Sequence, residues 1–112
     1  MTLGVTLLLL LAQLTSGAPA QRLFVRVVDT ECHPIPGVAV KFLRAGDSPG
    51  RAIATGVTDS KGQAFFDAVP ESKFDVIASL RNFIPTRVGP VTATPFRSSR
   101  PVLVVLNLEG SQ

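Results

Sequence analysis

Four potential ligands stand within five residues of one another: Asp29, Glu31, Cys32 and His33. Two carboxylates, a thiol and an imidazole raise two chemistries, cation binding and nucleophilic attack by sulfur. A zinc site needs ligands that converge from separate turns, usually with a second pair elsewhere in the chain. Cys32 and His33 are the only cysteine and the only histidine present. Thiol catalysis needs an imidazole within reach of the sulfur, and neighbours in an extended segment point in opposite directions. The spacing therefore predicts a solvated turn, with no metal, no cofactor and no catalytic residue. Cys32 is expected to be an exposed free thiol. The carboxylates beside it disfavour the thiolate, but an unpaired, reachable thiol in an oxidising compartment still links two chains on oxidation.

Binding chemistry is the remaining class. Sugars stack best on exposed aromatic rings, and the chain has no Trp and no Tyr. Most of its seven Phe fall at expected core-facing positions, which leaves Phe83 and Phe96, in turns, as candidate platforms. Arg81, Arg87, Arg97 and Arg100 fall on the later turns and a weak sixth strand. Gathered at one end, they would form a positive patch for an acidic partner. A net charge of +3 without aromatic residues interleaved among the cations argues against nucleic acid. The expected partner is a protein or a glycan.

These residues must be positioned by a small body. All eleven Lys/Arg and all eight Asp/Glu of the 112 residues lie beyond residue 20. Before that point the chain reads VTLLLLLAQL over residues 5–14 and then reaches Ala18-Pro19-Ala20. Ten helical residues span only about 15 Å, half of the roughly 30 Å of a hydrocarbon layer. An apolar run of this length followed by small residues is a secretory signal pattern. Residues 1–20 are expected to be a signal peptide cut after Ala20, and residues 21–112 a single secreted or periplasmic domain with no membrane span. With one cysteine, that domain has no internal disulfide and is held by apolar packing.

Beyond residue 20, β-branched and aromatic residues recur in short runs broken by Gly, Pro, Asp and Ser, an all-β pattern. Leu23, Val25 and Val27 alternate toward one face of a first strand ending at Asp29. Val38, Val40 and Phe42 do so in a second, entered through a corner at Pro36-Gly37. A third strand is expected over residues 52–58. The run Thr58-Asp59-Ser60-Lys61-Gly62 predicts a tight turn, with Asp59 accepting backbone N–H groups and Gly62 taking positive φ. It reads as a hairpin into a fourth strand over residues 63–69. Phe74, Val76 and Ala78 supply the inward face of a fifth. A sixth covers residues 85–93, placed at an edge or bulge by Pro90. PVLVVLNL over residues 101–108 suits a central seventh strand covered on both sides. Seven such strands make an Ig-like or transthyretin-like β-sandwich.

Val25-x-Val27-x-Asp29, Pro34-Ile35-Pro36-Gly37-Val38-x-Val40, Thr58-Asp59-x-x-Gly62, Phe66-x-x-Val69-Pro70, Phe74-x-Val76 and Phe83-x-Pro85 follow one another in this order. In order and spacing the chain resembles the carboxypeptidase regulatory-like domain across residues 21–109. The resemblance implies a transthyretin-like sandwich and a non-catalytic module of the kind appended to peptidases or to the front of outer-membrane receptors. It also implies kinship with carbohydrate-binding-like folds. The family often has Gly where this chain has Cys32, Ser72 and Asn82. The matched residues have structural reasons: Pro36-Gly37 and Asp59 with Gly62 build turns, and Val69-Pro70 is expected to close the bottom of the core. The expected function is a structural or protein-interaction role. The alternatives are carbohydrate or small-ligand binding, or an N-terminal piece of an outer-membrane receptor.

Overall fold

The computed structural model describes residues 21–68, 71–94 and 100–110. The expected leader, Val69-Pro70, Phe96 and Arg97 lie outside the described residues. Seven strands form two sheets: β1 Gln21–Val28, β2 Ala39–Arg44, β3 Ala54–Val57, β4 Gln63–Ala68, β5 Lys73–Ser79, β6 Thr86–Thr92 and β7 Val102–Val105. One sheet has the order β4-β1-β7 and the other β3-β2-β5-β6. The fold is an all-β sandwich, as the alternation of apolar residues predicts. Among the described residues no helix is long and apolar enough to cross a membrane.

The core is what the two-residue period selects. Leu23, Val25 and Val27 of β1, Val40 and Phe42 of β2, Ala64, Phe66 and Ala68 of β4, and Phe74, Val76 and Ala78 of β5 are buried between the sheets. Phe42 stacks on Phe66 at 5.4 Å across the sandwich and lies 4.6 Å from the Phe74 ring, measured between centroids. Val38 is buried just before β2. Thr58, also buried, donates to the Ile35 carbonyl at 2.7 Å and accepts from the Val38 N–H at 2.9 Å, which fixes the Pro36-Gly37 corner. Gly37 has positive φ there, and its N–H reaches the Thr58 carbonyl.

Two expectations about connectivity need correction. The Asp59 turn is as tight as expected, but it joins no hairpin: β3 pairs with β2 and β4 pairs with β1, so the chain passes from one sheet to the other. The Gly62 carbonyl accepts the Val27 N–H at 2.8 Å, which commits the outgoing strand to β1 rather than back to β3. The second correction concerns β7. It is an edge strand, parallel to β1, and its outward residues Leu103 and Val105 are 53% and 40% exposed. Its inward residues Val102 and Val104 are buried. A continuous apolar run thus covers only one side here. β6 does lie at an edge, and it carries a bulge at Gly89-Pro90, where two of its residues stand opposite Asp75 between the Phe74–Val91 and Val76–Val88 pairs.

Candidate functional site

The Asp29 segment is a turn whose backbone geometry repeats that of Asp59. Asp29 Oδ1 accepts the N–H of Glu31 at 2.8 Å and of His33 at 2.9 Å; Asp59 Oδ1 accepts those of Lys61 at 2.9 Å and Gln63 at 3.0 Å. In each turn the Asp N–H meets the carbonyl four residues on, and its carbonyl takes the N–H three residues on. Cys32, with φ of 65°, thus occupies the position held by Gly62, with φ of 72°. The segment is a tight turn rather than the extended stretch assumed above for Cys32 and His33. The His33 N–H, more than any other influence, holds the Asp29 carboxyl below the usual aspartate range. Partial desolvation opposes it, and the Glu31 N–H adds to it. His33 Nδ1 faces Asp29 Oδ2 at 3.5 Å and Glu31 Oε2 at 3.7 Å. Cys32 is exposed. Among the described residues no three His, Cys, Asp or Glu side chains are grouped to hold a metal ion.

Positive φ also falls on Asn82, one of the positions where the resembled family carries Gly. At the remaining one it falls on Glu71 and not on Ser72, one residue earlier than expected.

The described arginines of that set, Arg81, Arg87 and Arg100, do not gather. Arg87 is turned onto Asp75, which is only 6% exposed: its Nε and Nη2 donate to Asp75 Oδ2 at 3.0 and 2.6 Å, and Nη2 also reaches the Asp47 carbonyl at 2.7 Å. The Gly46 N–H donates to the same Oδ2 at 3.0 Å. This N–H chiefly, and then Arg87, keeps the Asp75 carboxyl ionised to lower pH than usual, against its burial. Asp75 Oδ1 is buried with no hydrogen-bond partner among the described residues. A Cβ at Gly89 would fall onto that oxygen, so this edge strand needs glycine at the point of contact. Asp75 and Arg87 therefore latch the loop after β2 onto β5 and β6. Arg81 follows β5 at the opposite end of the sandwich from Arg100, which precedes β7. Phe83 is half-buried, packed in part against the core, with its backbone bridged to Leu108.

Sequence reasoning missed an exposed apolar surface on one sheet face, the outer side of β4-β1-β7. Phe24 and Phe65 pair across strands and stack at 5.8 Å, and the Arg22 guanidinium sits 5.1 Å from the Phe65 ring centre. Phe65 is 48% exposed, and Leu103 and Val105 extend the apolar strip on β7. Arg22 and Arg26 flank it on β1 and Asp67 on β4, all exposed. The signal was in the alternation: residues 22, 24 and 26, and 63, 65 and 67, take the face opposite the core.

No family model and no curated protein matches the chain. Among solved structures it is similar to 3-chlorocatechol 1,2-dioxygenase from Rhodococcus opacus 1CP, with 12% identity, TM-score 0.48, and coverage of 86% of this chain and 55% of that one. It is also similar to the dioxygenase domain of a dioxygenase carbohydrate-binding protein fusion from the cellulolytic bacterium Streptomyces sp. SirexAA-E. There the identity is 18%, the TM-score 0.46, and the coverage 88% of this chain and 76% of that one. The chain spans about half the length of the first. Likeness at such identities brings no activity to this chain.

Proposed function

We propose that the protein is an exported, non-catalytic interaction module that binds a protein partner through the outer face of β4-β1-β7. The observation that carries this reading is the strip of Phe65, Leu103 and Val105, each 40% exposed or more, with half-buried Phe24 stacked beside Phe65, on a single sheet face that the described residues leave open. An apolar strip rimmed by charge is the usual make-up of a protein contact surface. Two arginines against one carboxylate give the rim a positive balance. The partner it fits is a protein surface with an apolar centre and acidic margins. Membership of the carboxypeptidase regulatory-like family belongs to the same proposal, supported by the Pro36-Gly37 corner and the Asp59 turn.

The test is photo-crosslinking in the producing organism, with benzoylphenylalanine in place of Phe65 and, as control, of Val57 on the other sheet. The expected result is a discrete protein adduct from position 65 only, with the non-covalent binding of that partner to the uncrosslinked protein weakening as salt is raised. A glycan adduct, adducts from both positions alike, or none from position 65 would overturn the proposal. Intact-mass analysis of the exported protein should give a chain beginning at Gln21. Residues 1–20 still attached would contradict the export reading.

A further inference from the structure

At the end of the sandwich where β2 and β4 finish and β5 begins, the two sheets part around an open cleft of about 700 Å³. Its walls are Phe42 and Phe74 from one sheet, Ala68 from the other, and Ala45 and Ile53 from the loop after β2. Such a volume with mainly apolar walls falls in the range of small-molecule sites. Ile53 stands at the lip, 57% exposed. Along β2 the core-facing register reads Val40, Phe42 and then Arg44, so the last inward position of the strand carries a cation. Lys73 borders the same cleft, and Arg44 and Phe74 are paired across the strands. Neither Arg44 nor Lys73 has a carboxylate within ion-pair distance among the described residues. Asp67 also borders the cleft, but from the outward-facing register of β4.

The loop wall is held in place before any ligand arrives. The Ile53 N–H donates to the Phe42 carbonyl at 2.7 Å and the Ala45 N–H to the Lys73 carbonyl at 3.3 Å. Asp75 and Arg87 grip Gly46 and Asp47 between them. A cleft whose walls are fixed beforehand loses little on binding.

We propose that this cleft binds a small amphipathic carboxylate, its hydrocarbon body against Ile53, Ala68 and the edges of Phe42 and Phe74, and its carboxylate on Arg44 and Lys73. The assignment is independent of the outer-face reading, since its apolar walls and both cations lie apart from that strip and Asp67 alone borders both. Decanoate titrated into the full-length protein, with displacement of the fluorescent probe anilinonaphthalene sulfonate, is the test. Saturable one-to-one decanoate binding is expected, with decylamine at least tenfold weaker. Arg44→Gln and Ile53→Asp should each weaken decanoate at least fivefold, while their melting temperatures stay near the parent's because both side chains are exposed. Phe65→Asp should leave decanoate binding unchanged. Absence of saturable binding, equal affinity for the amine, or loss of binding in Phe65→Asp but not in Arg44→Gln would overturn the proposal.

Discussion

At the scale of single residues, the twin turns offer a controlled comparison. Asp29 and Asp59 make the same hydrogen bonds, yet one turn puts a side chain at positive φ where the other has glycine. A non-glycine residue in the left-handed region costs roughly 1–2 kcal/mol, offset in part by the extra chain entropy of glycine when unfolded. Cys32→Gly should therefore raise stability by up to about 1 kcal/mol, read as a higher thermal midpoint. Gly62→Ala should lower it by about 2 kcal/mol or more, because a Cβ there lies 2.6 Å from the Val27 carbonyl oxygen as well as in the left-handed region. The geometry of the Asp59 turn was legible because glycine marks it; at Asp29 a solvated turn was expected, but cysteine hides the positive φ that makes it the same turn. Asp75 was hidden for another reason. It sits on an outward register of β5, and its partners Gly46 and Arg87 are remote in sequence. Removing the carboxylate in Asp75→Ala should cost about 2–3 kcal/mol, at or below the low end for a broken buried pair since Arg87 is partly exposed. With its folded pKa lowered, Asp75 contributes fully above the ordinary aspartate value near 4. That contribution is lost as the pH falls through the folded value. Denaturant melts from pH 6 downward should show this loss in the parent and not in Asp75→Ala.

At the scale of elements, strand existence and inward faces were readable from the two-residue period, and pairing partners were not. The turn after β3 has the local chemistry of a hairpin, but whether the outgoing strand returns to its neighbour depends on Val27 and Gly62, far apart in the chain. β7 shows the same limit. Its apolar run is consistent with a strand covered on both sides, and only the sheet order makes it an edge with half its residues outward. The two readings predict different mutational patterns. Leu103→Asp should shift stability by no more than about 0.5 kcal/mol, as for a surface change. Val104→Asp, which places a carboxylate in the core, should abolish folding or cost more than about 4 kcal/mol. Equal, severe losses at both positions by thermal melting would contradict the edge assignment.

At the scale of the whole molecule, the sandwich has sides that differ in how they are finished. The four-stranded sheet buries Leu43 and Asp75 on its outward register, where the loop after β2 is latched. The three-stranded sheet leaves Phe65, Leu103 and Val105 exposed, with Phe24 half-buried beside Phe65. The outward cross-strand pair contributes roughly 0.2–1 kcal/mol to folding, so Phe65 can be changed with the fold intact. The most direct measurement is a titration of the partner captured through position 65 against the parent protein, Phe65→Asp and Arg44→Gln, each with its melting temperature recorded. An aromatic anchor at the centre of a contact is worth about 2 kcal/mol or more, roughly thirtyfold in affinity. The account predicts that Phe65→Asp loses at least that factor while Arg44→Gln, at the cleft, binds as the parent does. Undiminished binding by a folded Phe65→Asp protein would contradict it.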